Sequence, residues 1–134
     1  MQLPPHITKA IHATMEASQA IMDIYAAEIK PSFKSDGSPV TAADMASSKV
    51  LMKYLGETGI PIISEEVEKA GYTTRKNWKA VWIVDPLDGT KEFIRRNGEF
   101  VICIALIEEG NPIFGIITHP LTQQILFGGP DFGA

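Results

Sequence analysis

Apolar residues recur at three- and four-residue steps near the start of the chain: Ile7, Ile11, Met15, Ile21 or Met22, Tyr25 and Ile29. That spacing predicts an amphipathic helix of about six turns over 7–29, because one face of a 3.6-residue period repeats this way. Pro31 stops it, and the polar Gly/Pro stretch PSFKSDGSP predicts a loop. Thr41, with Asp44 three residues on, has the spacing of a capping box. It opens a second helix carrying Met45, Val50, Leu51, Tyr54 and Leu55, which Gly56 ends. The pattern then changes. IPIIS (60–64) and AVWIV (80–84) are short continuous apolar runs, as buried strands have, and the polar stretch 67–79 between them predicts a loop or flap. After Gly89, TKEFIRRN has room for about two helical turns, with Thr90 near the cap. FVICIALI, PIFGIITH and QQILFGG, separated by EEGN and PLT, predict a meander of adjacent antiparallel strands. The order implies an α+β fold, or a layered αβ sandwich, with two N-terminal helices packed on a largely antiparallel sheet. GGPDFGA closes on a turn with no element after it, so residues 1–134 are expected to be the N-terminal domain of a larger protein.

Composition narrows the functional classes. The chain has 134 residues, 45% hydrophobic and 21% charged, enough for one domain with a real core. Sixteen acids against twelve Lys and Arg give a net charge of −4, and no basic cluster could neutralise a nucleic-acid backbone. A small phosphorylated substrate stays compatible if a bound cation supplies the positive charge. The single cysteine, Cys103, lies in the apolar run VICIALI and reads as a core residue of a protein kept reduced. MQLPPHITKA lacks a signal pattern, and the longest apolar run, Val101–Ile107, is too short to cross a bilayer. These features predict a cytoplasmic location and leave peripheral membrane association and oligomeric state open. His6, His12 and His119 are scattered and read as structural or surface residues.

The candidate chemistry sits where apolar strands end in acids. PIISEE ends in Glu65 and Glu66, and WIVDPLD ends in Asp85 and Asp88. If the two strands are neighbours, these carboxylates converge at one sheet edge and repel unless a cation neutralises them. Oxygen-only ligands point to Mg²⁺, which keeps several waters and shares its shell with substrate phosphates. Pro86 fixes the backbone between the acids so that the Leu87 carbonyl can serve as a further oxygen ligand. Gly89 permits close backbone approach, and the Gly89 and Thr90 amides lie where a helix begins, an anion site by geometry and dipole. Each piece also has a plain structural reading. Asp-Pro and Asp-Gly are turn dipeptides, Glu65-Glu66 suits a solvated strand end, and Asp44 and Thr90 suit helix caps. Lys91 and Glu92 suit exposed first-turn charges.

Taken together, SDGSPVTAAD, ISEE and DPLDGTKEF resemble the lithium-sensitive, Mg²⁺-dependent phosphatase family typified by inositol monophosphatase. The resemblance runs from the first helix to the closing strands. GTKEFIRRNGEFVICIALIEEGNPIFGII is most similar to the 3′(2′),5′-bisphosphate nucleotidase branch; the inositol branch typically has Thr-Asn in place of Lys91-Glu92. Members of the nucleotidase branch remove the 3′-phosphate of adenosine 3′,5′-bisphosphate, a by-product of sulfate assimilation and sulfotransfer. The resemblance implies that Glu65, Asp85 and the Leu87 carbonyl hold a first metal, and that Asp85 bridges to a second metal also bound by Asp88. A complete site would hold two or three Mg²⁺ ions. It implies further that Thr90 and Asp44 orient and deprotonate the attacking water, that the Gly89 and Thr90 amides hold the phosphate, and that Glu66 lies just behind the ligands. The substrate would contact Glu65, Leu87, Asp88, Gly89 and Thr90.

One departure matters. The family's W-D-x-[AT]-[AG]-G segment, whose aspartate completes the second metal site, does not occur in these 134 residues. The expectation is therefore weak metal binding and little or no turnover by this polypeptide alone. Three alternatives stay open. Inositol 1-phosphate or another sugar phosphate is the substrate within the same family. A non-catalytic metal-binding domain keeps the fold without the reaction. A haloacid-dehalogenase-type phosphatase fits worse, because its D-x-D chemistry needs acids two apart, whereas Asp85 and Asp88 are three apart.

Overall fold

In a computed structural model, residues 2–27, 32–33, 39–66 and 69–133 are described. Helix α1 spans Pro5–Ala27 and buries Ile7, Ala10, Ala13, Thr14, Ala17, Ser18 and Ile21. Five of these seven residues are the small Ala, Ser or Thr, so the second helix can approach closely. Met15 is correspondingly turned out to solvent, 54% exposed, although its spacing placed it with the apolar face. The expected final turn through Ile29 lies outside the described residues.

The stretch read as a plain loop contributes two short antiparallel strands, β1 (Ser32–Phe33) and β2 (Pro39–Val40). Two-residue strands carry no periodicity, so the alternation that signals a strand had nowhere to appear. Helix α2 (Ala42–Gly56) starts as anticipated. Thr41 accepts from the Ala43 and Asp44 amides while the Asp44 carboxylate accepts from the Thr41 amide, a complete capping box. Its buried face is Ala43, Asp44, Ser47, Ser48, Leu51 and Leu55, half of it polar, and Met45 is exposed.

Strands β3 (Ile62–Ser64), β4 (Ala80–Asp88), β5 (Val101–Glu108), β6 (Asn111–His119) and β7 (Gln124–Gly128) form one sheet in that order. β3 runs parallel to β4, with Ser64 opposite Val84, and the remaining pairs are antiparallel. Between β3 and β4, the anticipated flap contains a one-turn helix, α3 (Tyr72–Arg75). Helix α4 (Thr90–Arg95) follows β4.

Alternation along the strands separates two faces. Trp82, Val84, Ile102, Ile104, Leu106, Phe114 and Ile116 point into the buried core with the helices, and Trp82 Nε1 donates to Thr58 Oγ1 at 3.0 Å. The opposite face carries Ile83, Ile117 and Leu126, which are 45%, 50% and 70% exposed. Helices therefore cover one side of the sheet, giving the expected layering of helices on a mixed, largely antiparallel sheet. Cys103 belongs to the open face and is only half-buried. It is not the core residue its apolar neighbours suggested, because successive side chains in a strand face opposite ways.

Candidate functional site

The parallel pairing of β3 with β4 is what gathers the acids. Both strands finish at the same end of the sheet, with the Glu65 amide donating to the Val84 carbonyl at 3.3 Å. Glu65 is thereby fixed one peptide beyond the last β3 residue, beside Asp85. Glu66 follows, its amide donating to the Ser64 hydroxyl at 3.3 Å.

The β4–β5 ladder breaks just where the acids begin. Asp85 is opposite Cys103 and Asp88 opposite Val101, so β4 has one residue more than β5 across this interval, a bulge. Pro86 favours it, having no N–H to give to a ladder. Two side-chain bonds replace the missing ladder. The Leu87 amide donates to Asp85 Oδ1 at 3.3 Å, and Ser47 Oγ of α2 donates to the Pro86 carbonyl at 2.7 Å. Pro86 and Leu87 are buried and Asp88 is exposed.

Gly89 then turns the chain with φ of 98°, a left-handed conformation that side chains disfavour. A Cβ there would lie 2.7 Å from the Glu99 carbonyl, so both conformation and space require glycine. Gly89, not Thr90, occupies the cap position of α4. Thr90 instead donates its hydroxyl to Asp44 Oδ1 at 2.8 Å, joining residues 46 positions apart. Asp44 is fully buried, and its other oxygen, Oδ2, accepts from the Thr41 amide at 2.8 Å and the Thr41 hydroxyl at 2.6 Å. The same carboxylate is thus both helix cap and Thr90 partner.

Electrostatics identify Asp85 as the strained member. Its carboxyl is pushed up to about 6, first by burial and then by the negative charge of Asp88, with smaller contributions from Glu65 and Glu66; the bond from the Leu87 amide opposes the rise. The Cys103 thiol is also raised, by burial and then by Asp88 and Asp85, so it stays protonated beside the acids. A groove of about 910 Å³ over the open face begins at Glu65, Asp85 and Cys103 and continues along Ile117, Leu126 and Phe127.

These observations test which metal the site could take. Among the described residues, no three His, Cys, Asp or Glu side chains stand close enough to form a ready-made cage. A zinc-type centre of nitrogen and sulfur ligands does not fit. A hydrated hard cation does, because Mg²⁺ keeps most of its waters and needs only one or two carboxylates. The excess negative charge around Asp85 is what such an ion would offset.

Residues 4–133 match the model of the inositol monophosphatase family. The chain belongs to that family. It is 44% identical over 115 residues to the 3′(2′),5′-bisphosphate nucleotidase CysQ of Salmonella typhimurium, which covers 83% of this chain and 46% of the relative. It is 49% identical over 109 residues to the protein of the same name from Escherichia coli O157:H7, covering 78% of this chain and 44% of the relative. The crystal structure of CysQ from Bacteroides thetaiotaomicron, a bacterial member of the inositol monophosphatase family, superimposes with a TM-score of 0.77 at 41% identity. That match covers 91% of this chain and 45% of the CysQ chain. The chain therefore spans about half the length of the relatives it matches. No described helix is long and apolar enough to cross a membrane.

The structure places Glu65 and Asp85 on neighbouring strand ends, Asp88 at the bulge, and Asp44 against Thr90. Ser47 went unnoticed in the sequence. Its only signal was its position three residues after Asp44, on the same helical face.

Proposed function

We propose that this chain supplies the metal- and phosphate-binding part of a Mg²⁺-dependent phosphomonoesterase that removes the 3′-phosphate of adenosine 3′,5′-bisphosphate. The observation that carries the reading is the Thr90–Asp44 bond at 2.8 Å, set directly after the bulge bearing Asp85 and Asp88. A hydroxyl bonded to a buried carboxylate, next to an acid cluster at the ends of parallel strands, suits activation of a water toward an anionic substrate. The nucleotide branch rests on the CysQ relatives at 44% and 49% identity and on Lys91-Glu92.

Glu65, Asp85, the Leu87 carbonyl and Asp88 are the groups that would hold the metal, with Glu66 behind them. Bound there, Mg²⁺ supplies charge to neutralise the phosphate and to acidify a coordinated water. The chain's own residues do the rest. Thr90 directs its proton to Asp44, which leaves its oxygen lone pairs free to accept from an attacking water. Asp44, held through both oxygens, stays fixed as proton acceptor through Thr90. The amides of Gly89 and Thr90 have no intrahelical acceptor and remain available to phosphate oxygens. A cytoplasmic setting suits this chemistry and the lone protonated Cys103.

The test compares Mg²⁺-dependent binding and hydrolysis of adenosine 3′,5′-bisphosphate and inositol 1-phosphate, with and without Li⁺. Preference for the bisphosphate, lost in Asp85→Asn, is expected. Preference for the inositol ester would remove the branch assignment, and unchanged binding in Asp85→Asn would remove the metal assignment.

A further inference from the structure

Ser47 belongs to no motif discussed above, yet among the described residues it joins Asp44 in bonding α2 to the metal loop through its side chain. It is fully buried, and its hydroxyl donates to the Pro86 carbonyl at 2.7 Å across 39 residues. Asp44 and Ser47 are three residues apart on one helix, so they share a face. That face brackets the loop: Ser47 takes hold at Pro86 and Asp44 at Thr90. The carbonyl held by Ser47 immediately precedes the Leu87 carbonyl, which the proposed function makes a metal ligand.

The bulge explains why an anchor is needed here. In a regular ladder, cross-strand bonds fix the direction of every carbonyl. Between Asp85 and Asp88 the register shifts, so the ladder no longer sets how these peptides are turned. Within one trans peptide the carbonyl and the N–H point opposite ways, and the Pro86 carbonyl and the Leu87 N–H belong to the same peptide. Drawing the Pro86 carbonyl toward α2 therefore turns the Leu87 N–H the other way, toward Asp85, and holds the peptide from which the Leu87 carbonyl follows. The Leu87 amide, bonded to Asp85 Oδ1 at 3.3 Å, is turned in the same act and couples the peptide to the carboxylate.

We propose that Ser47 is a positioning residue that aims the Leu87 carbonyl, and through the Leu87 amide the Asp85 carboxylate, at the bound cation. The inference rests on the metal assignment above. A plain packing role would make Ser47 important to stability only. Here it sets metal affinity, as groups that orient metal ligands do.

The experiment titrates Mg²⁺ into the 134-residue chain and follows the carbonyl and amide resonances of Asp85, Leu87 and Asp88 by NMR. Ser47→Ala, Ser47→Cys and the neighbouring Ser48→Ala are compared with the parent. Alanine is the best helix former, so Ser47→Ala should stay folded. The expected result is Mg²⁺ affinity about tenfold weaker in Ser47→Ala. Ser47→Cys, with similar shape and a weak S–H donor, should lie between, and Ser48→Ala should match the parent. Equal affinity in the parent and Ser47→Ala would overturn the proposal and leave the metal assignment standing. So would equal weakening by Ser47→Ala and Ser48→Ala. If the parent resonances ignore Mg²⁺ altogether, the metal assignment fails and the Ser47 proposal falls with it.

Discussion

Without a cation, the ionised Asp85 carboxylate should destabilise the fold, and Asp85→Asn should relieve that cost. Burial and the neighbouring acids raise the carboxyl from its usual 3.8 to about 6. Between those values the folded chain holds a proton that the unfolded chain has released. Stability therefore falls as pH rises from about 4 to about 6, and the full cost persists at pH 7. A shift of roughly two units corresponds to about 3 kcal/mol before screening. The carboxyl is only half-buried, and solvent screening cuts this to about 1 kcal/mol. Asparagine keeps an oxygen for the Leu87 amide, so the substitution removes the charge and spares the bond. Urea melts from pH 4 to 8 without divalent ions should show Asp85→Asn more stable by about 1 kcal/mol at pH 7, which is roughly 3–4 °C in Tm. The gap should close toward pH 4. Added Mg²⁺ should then stabilise the parent and leave the variant unchanged, because ligand binding stabilises only a chain that binds it. A variant less stable than the parent at pH 7 without metal, or with the same pH slope, would refute this account of the acid cluster.

Three other expectations follow from single contacts. Gly89→Ala should cost about 2 kcal/mol or more in urea denaturation, through its left-handed φ and the 2.7 Å approach to the Glu99 carbonyl; a loss below half of that would mean the turn can relax. Thr41→Ala should cost about 1 kcal/mol by loss of the capping box, read as a lower urea midpoint at unchanged slope. Thr90→Val should leave Asp44 Oδ1 without its donor at a cost of about 1–3 kcal/mol, and hydrolysis by a complete enzyme carrying it should fall at least a hundredfold.

Much of this was legible in the residues. The 3.6-residue period marked both long helices, and the Thr41–Asp44 spacing gave the start of α2. Continuous apolar runs marked β3 and β4, and the acids following them pointed to metal and phosphate. These features are local: each is set by a few neighbouring side chains and the backbone conformations they favour.

Tertiary structure alone decided the rest. The parallel alignment of β3 with β4 brings Glu65 beside Asp85, and a sequence cannot state which strand ends meet, because pairing depends on burying both apolar runs in one sheet. Packing of α2 against β4 makes Asp44, already a helix cap, the partner of Thr90 as well, and makes Ser47 an anchor of Pro86. Cys103 moved from the expected core to the open face, since alternation along a strand fixes two sides but packing chooses which one is covered. The sequence determined which groups could hold a cation and a phosphate. The fold determined which stand together and how the Pro86 carbonyl is held, because those depend on contacts between residues about forty positions apart.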